Sequence, residues 1–292
     1  MVDIKEIKSI KLTSFTKMSA SIYAILGFVA AICMLVVLTI VQVAGVIPQL
    51  GNFNIVTGVG IPLIVLLPVG AFLITLTTSL LSAMFYNMLV PRLGGIKLEL
   101  DGIDIVKIPV VSFALILSAI GAIWAFIIGL LAAAFITPII SLIGSSPEAN
   151  NITANLTNAT GTPVDSSVFG TAGILVPILL VIGLPILVFV FGFIWNALFA
   201  LFYNYIVTRV AKIKLEFENI TGSLYKLKHI PVIPTALAVA LVYLLLGLLG
   251  IFSGNYAEFL TNFISYFIQT AIIALAYNYL APKIGSIKLN LE

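Results

Sequence analysis

Between Lys17 and Arg92 the chain carries no charged side chain. A run of that length holds two membrane spans of about 20 residues each, and a water-exposed domain has no reason to be stripped of charge so completely. Only 9% of the 292 residues are charged and 61% are hydrophobic, against about 25% charged in soluble domains. The chain therefore reads as an integral membrane protein, mainly α-helical. Its apolar pattern predicts six spans, at residues 18–47, 55–90, 109–144, 171–208, 231–253 and 258–281. Pro62 and Pro68 in the second span and Pro177 and Pro185 in the fourth predict bends, which with tilt absorb the surplus length.

In this arrangement all 14 Lys and Arg fall on one side of the membrane. They precede span 1, join spans 2 and 3 and spans 4 and 5, or follow span 6. The other side carries Glu148, Asp165 and Glu258 and no basic residue. The positive-inside rule then predicts a multi-pass plasma-membrane protein with both termini in the cytoplasm. The segment before span 1 is charged and has no small-residue cleavage signature, so the first helix is expected to stay uncleaved.

One motif closes a hydrophobic stretch three times. Tyr86-Asn87 leads to Ile96-Lys97-Leu98, Tyr203-Asn204 to Ile213-Lys214-Leu215, and Tyr277-Asn278 to Ile287-Lys288-Leu289, with constant spacing. Such self-similarity marks internal repetition. Around Asp101-Gly102, apolar and charged residues alternate on both sides, the pattern of a two-residue β-hairpin. A second hairpin is expected between 213–217 and 224–228, across a turn containing Gly222. The N-terminal and C-terminal stretches, 7–12 and 287–291, supply one outer strand each.

The repeating unit is thus strand, span, span, strand, over residues 1–100, 101–217 and 218–292. Six short strands with apolar edges need a partner surface. A small cytoplasmic sheet or closed ring joining the three units is the favoured solution, and the alternative lays each strand on anionic headgroups.

A structural role is the default for Tyr86, Asn87, Tyr203, Asn204, Tyr277 and Asn278. Tyrosine suits the depth at which a helix leaves the hydrocarbon, and Asn is expected to tie the helix end to the following turn. The basic residue six positions after each Tyr suits the helix dipole. Seven residues before each Tyr stand Ser79, Asn196 and Thr270, on the same helical face. They are read first as interhelical hydrogen-bonding groups, and second as the polar lining of a path along a pseudo-threefold axis.

The outer connection 145–170 is rich in Ser, Thr, Asn, Gly and Pro and reads as a polar loop. Its sequons at Asn151, Asn155 and Asn158 are candidate glycosylation acceptors. Cys33 is the single cysteine and His229 the single histidine, which leaves no disulfide framework and no metal-ligand cluster. No ionisable residue falls mid-span, which disfavours ion-coupled transport. There is no basic stripe for nucleic acid and no recognisable grouping of nucleophile, base or phosphate loop. No cofactor is expected.

The segment Ser14-Phe15-Thr16-Lys17, closed by Tyr86-Asn87 and Gly94-Gly95-Ile96-Lys97-Leu98, resembles a family of small two-helix membrane proteins of unknown function known chiefly from actinobacteria. The second and third units keep Tyr-Asn and Ile-Lys-Leu but replace Gly-Gly by Ala211-Lys212 and Gly285-Ser286. The resemblance implies a fold unit whose single-copy relatives assemble as trimers, fused here into one chain. Outer sequons on a chain without a cleaved leader suit an archaeal-type cell. The functional expectation is a non-enzymatic accessory subunit or envelope scaffold in contact with membrane lipid and protein partners. The runner-up is a passive pore or carrier for an uncharged or lipidic solute.

Overall fold

The computed structural model describes residues 2–45, 56–146, 148–163, 165, 167–250 and 258–292. In chain order the elements are β1 (Asp3–Ile10), α1 (Leu12–Val43), α2 (Ile61–Leu93), β2 (Ile96–Asp101), β3 (Asp104–Lys107), α3 (Val110–Gly144), α4 (Glu148–Thr160), α5 (Ser167–Ile178), α6 (Leu184–Tyr205), β4 (Glu216–Thr221), β5 (Leu224–His229), α7 (Val232–Leu248), α8 (Glu258–Ile284) and β6 (Lys288–Leu291).

Five described helical stretches are long and apolar enough to cross a membrane: Leu12–Val43, Gly58–Leu93, Val110–Gly144, Ser167–Arg209 and Phe259–Ile284. Their surfaces expose large apolar side chains such as Ile74 (67%), Phe135 (72%) and Ile174 (66%). Such surfaces are stable against lipid and costly against water. The expected fifth span is α-helical over 17 described residues, Val232–Leu248, and is not among the five stretches of spanning length. Residues 46–47, 55 and 251–253 of the expected spans lie outside the described residues.

Helical irregularity follows Pro62 and Pro185. Each stands second in its α-helix, directly after a five-residue π turn at Val56–Gly60 or Leu179–Gly183. A proline ring clashes with the carbonyl four residues back, which here lies inside the π turn, and the wider turn relieves that clash. Pro68, expected to bend the second span, lies within α2.

The chain forms two compact units, one of residues 1–113 and 198–292, the other of residues 114–197. The first contains the sheet, antiparallel throughout, in the order β3-β2-β1-β6-β5-β4. Both expected hairpins are present. The terminal strands β1 and β6, expected as outer strands, instead lie side by side in the middle of the order.

The two ends of that order are joined. Ile105 N–H donates to Ile213 O at 2.9 Å, Leu215 N–H donates to Ile103 O at 2.8 Å, and Asp104 pairs with Lys214. The sheet thereby closes into a ring through a narrow bridge at Ile213–Leu215, just before β4. Leu98, Leu100 and Ile105 pack with Ile7, Ile96, Leu215 and Phe217, and the last two also pack against the cluster around Leu227. Side chains from β1 to β5 thus form an apolar core inside the ring, beside an opening of about 200 Å³ bordered by Asp3, Lys5, Leu100, Phe217 and Tyr225.

In the second unit, α3 packs closely on the π turn before α6. A Cβ placed on Gly129 would lie 2.0 Å from Leu180 O. The connection expected as a polar loop contains α4, a 13-residue helix. Glu148 in its first turn complements the helix dipole, and Ala149 and Thr153 are buried one turn apart.

Candidate functional site

The three Tyr-Asn pairs make the same set of hydrogen bonds at three places. The Tyr86 hydroxyl donates to Ile7 O at 2.6 Å and accepts Ile96 N–H at 3.2 Å. Tyr203 donates to Ile105 O at 2.5 Å and accepts Ile213 N–H at 3.0 Å. Tyr277 donates to Leu227 O at 2.5 Å and accepts Ile287 N–H at 3.2 Å. Each phenol joins the strand before one helix pair to the strand after it.

Each Asn grips the residue three positions beyond the tyrosine's acceptor. The Asn87 amide oxygen accepts Ile10 N–H at 2.8 Å while its NH2 donates to Ile10 O at 2.9 Å. Asn204 does the same to Ile108 at 2.8 and 2.7 Å, and Asn278 to Ile230 at 2.9 and 2.8 Å. Asn therefore does not tie its helix to the following turn, as expected from sequence. It clamps the point where a strand ends and the first helix of the pair begins, satisfying backbone groups that would otherwise be orphaned there.

The tyrosines are also deeper than interface residues. Tyr86, Tyr203 and Tyr277 are 4%, 0% and 1% exposed. Three residues before them, Ala83, Ala200 and Ala274 are buried, and four residues after them so are Val90, Val207 and Ala281. These positions share one helical stripe, and the small side chains let the phenols reach the ring. Across the pair, Gly27, Ala125 and Gly247 stand seventeen residues beyond the clamped Ile10, Ile108 and Ile230. A Cβ on Gly27 would lie 2.8 Å from Leu67 O, and one on Gly247 2.7 Å from Phe259 Cα. Neither set was picked out from sequence, because Ala and Gly are common in membrane helices. Aligned on Tyr-Asn, Ala83, Ala200 and Ala274 fall in register, whereas Gly27, Ala125 and Gly247 do so only when counted from the clamped isoleucines, a reference that the Asn hydrogen bonds supply.

Gly95 completes the first of these junctions. Its N–H donates to Glu6 Oε1 at 2.6 Å, and a Cβ there would lie 2.3 Å from Ile7 O. Partial burial works against the Glu6 carboxylate, but the Gly95 N–H together with Lys8 and Lys97 outweighs it and holds the pKa below the ordinary value. At the ring mouth, Lys5 Nζ stands 4.1 Å from the centre of the Tyr225 ring. Desolvation opposes the Lys5 ammonium, while Tyr225 and Asp3 more than compensate and raise its pKa. Strand ion pairs dress the ring, including Lys107–Glu99 at 3.0 Å, Lys226–Glu218 at 2.9 Å and Lys228–Glu216 at 2.8 Å.

Two of the three polar residues expected to work as a set bond within their own helices. Ser79 Oγ donates to Thr75 O at 2.5 Å, and the Asn196 amide donates to Gly192 O at 2.7 Å. Ser79 lines an open cleft of about 510 Å³ with Phe15, Ser19, Tyr23, Thr75 and Ser82. Neither Asn196 nor Thr270 lines it, and Thr270 is half-buried on α8. The sequons Asn151, Asn155 and Asn158 are exposed along one stripe of α4, opposite buried Ala149 and Thr153.

No family model, curated protein or solved structure matches the chain.

Proposed function

We propose that the chain is a non-enzymatic multi-pass membrane protein whose strand ring is a docking platform for a protein partner, in the role of an accessory subunit or envelope scaffold. The observation that carries this reading is the construction of the ring. Apolar side chains pack inside it, its strands carry cross-strand ion pairs, and six Tyr and Asn side chains fix it to helix ends. A ring packed with apolar side chains and pinned to helix ends presents its strands as a surface for a partner.

The finer architecture belongs to the same proposal. Three fused strand-helix-helix-strand units are supported by the identical hydrogen bonding at the three motifs. Six spans follow when α7 is counted as the partner of α8. The ring and both termini are assigned to the cytoplasm by the basic residues, all 14 of which lie on the ring side of that topology. The Asn stripe of α4 then faces outward, where glycans would clear the buried side of the helix. On the same proposal, single-unit members of the actinobacterial two-helix family would assemble as oligomers, with three units fused here into one chain.

The deciding experiment is purification from native membranes in mild detergent, with mass spectrometry of proteins retained in constant ratio. A stoichiometric partner is expected, and it should be lost from a folded K107E/K228E variant of the ring surface. A solitary protein that shows flux or activity by itself, and keeps it in that variant, overturns the reading.

The hydroxyl-rich cleft between α1 and α2 favours a second reading, a carrier for an uncharged or lipidic solute. Ser79→Ala with Thr75→Ala should then change flux in liposomes without unfolding the protein.

A further inference from the structure

The three motifs differ at one cross-strand pair. Eleven residues after each Tyr stands a lysine: Lys97, Lys214 and Lys288. Opposite each stands the residue just before the one that accepts the tyrosine's hydrogen bond. Lys97 faces Glu6 and Lys214 faces Asp104, but Lys288 faces Lys226. Like charges directly opposite on antiparallel strands repel. Lys226 is served by Glu218 at 2.9 Å. Lys288 makes no ion pair among the described residues.

The same lysine lines a cleft with two more cations. Lys11, Lys17 and Lys288, with Thr13, Ser14 and Ser286, surround an open space of about 470 Å³ where β6 meets the start of α1. The lining contains no carboxylate, and Lys11 and Lys17 likewise make no ion pair among the described residues. Ser14 Oγ accepts the Lys288 N–H at 3.1 Å, which ties the two walls together.

The corresponding cleft at the second motif has its own anion. There Arg209, Lys212 and Lys214 line a space of about 440 Å³ together with Asp104. Asp104 reaches Lys214 at 3.1 Å and Lys212 at 3.6 Å. One cleft thus holds an internal counter-charge, and its counterpart has three unneutralised lysines in the same setting.

We propose that the cleft of Lys11, Thr13, Ser14, Lys17, Ser286 and Lys288 binds a phosphate-bearing anion, which supplies the negative charge that Asp104 provides in the second cleft and that Lys226 denies here. Three ammonium groups, with the Thr13 and Ser286 hydroxyls beside them, match a phosphate's charge and acceptor oxygens, while the Ser14 hydroxyl already donates to Lys11 O at 3.0 Å. The cleft lies at the end of a membrane-length helix, so a lipid headgroup and free phosphate can both reach it. This inference is independent of the docking role of the ring.

The test uses the full chain in mild detergent, with lipid retention read by native mass spectrometry. Phosphatidylglycerol should be retained in preference to phosphatidylcholine. The K11Q/K17Q/K288Q variant should weaken that retention roughly tenfold or more, while K212Q in the second cleft leaves it unchanged. K288E, which gives Lys226 an acidic neighbour as in the other two motifs, should also abolish it and covers the case in which the triple variant fails to fold. Release of phosphatidylglycerol by millimolar inorganic phosphate identifies the free anion as a ligand, and retention despite phosphate identifies the headgroup. Equal retention of the two lipids, or undiminished phosphatidylglycerol on folded K288E, overturns the proposal.

Discussion

Asn87 holds Ile10 by both of its backbone groups, accepting the N–H at 2.8 Å and donating to the carbonyl at 2.9 Å, across 77 residues of chain. Ile10 is the last residue of β1, and α1 begins two residues later. Replacing Asn87 by Leu leaves two half-buried backbone groups without partners. The expected cost is about 2–3 kcal/mol, from two lost bonds and the desolvation that remains. Thermal unfolding of N87L in detergent should show a clear drop in midpoint, with N87D intermediate because it keeps the acceptor. A midpoint unchanged in N87L would mean that the clamp contributes nothing to stability.

Gly129 leaves no room for a side chain, since its Cβ would fall 2.0 Å from Leu180 O. Gly129→Ala must push α3 away from the π turn, at about 1–3 kcal/mol as for other overpacked sites. Gly70, whose Cβ would meet nothing within 4 Å, is the control. G70A should unfold at or above the wild-type temperature, and G129A clearly below it.

Glu6 makes the first ring junction acid-sensitive. Its pKa is lowered from the ordinary 4.5, despite partial burial, by the Gly95 N–H and by Lys8 and Lys97. The folded value lies below the unfolded one, so this contribution is complete above about pH 4.5 and fades as pH falls through the folded pKa. E6Q should therefore be less stable than wild type at pH 7, and the gap should narrow on acidification. Midpoints at pH 7 and pH 3.5 for both proteins check the sign; a gap that widens in acid excludes the mechanism.

Thr16 carries the opposite kind of defect. Its hydroxyl is buried and has no hydrogen-bond partner among the described residues. Valine has nearly the same shape without the polar atom, so T16V should gain about 1 kcal/mol. Denaturant or thermal melts of T16V against wild type read this directly, and a loss of stability would count against the hydroxyl being unsatisfied.

Much of the fold was legible in the residue pattern. Charge-free runs mark helices suited to lipid, because an ionised side chain in hydrocarbon is expensive. Asp101-Gly102 marks a hairpin, because Gly102 adopts a φ of +65° that side chains rarely tolerate. The α4 helix was hidden by its composition, since Asn and Thr are weak helix formers and only a buried face at Ala149 and Thr153 supports it. Strand order was hidden as well: pairing β1 with β6 brings the two ends of the chain together, and no local pattern encodes that.

The sequence by itself determined that the chain is apolar enough for a membrane, that one Tyr-Asn motif recurs three times, and where the hairpins turn. These are properties of neighbouring residues and their periodicity. Only the tertiary structure decided what each Asn holds, that Tyr86, Tyr203 and Tyr277 join strands on either side of a helix pair, and that Lys288 faces Lys226 where Lys97 and Lys214 face acids. Those relations link residues 48 to 98 positions apart or across the ring. Their partners are set by strand register and helix packing, which emerge only when the whole chain closes on itself.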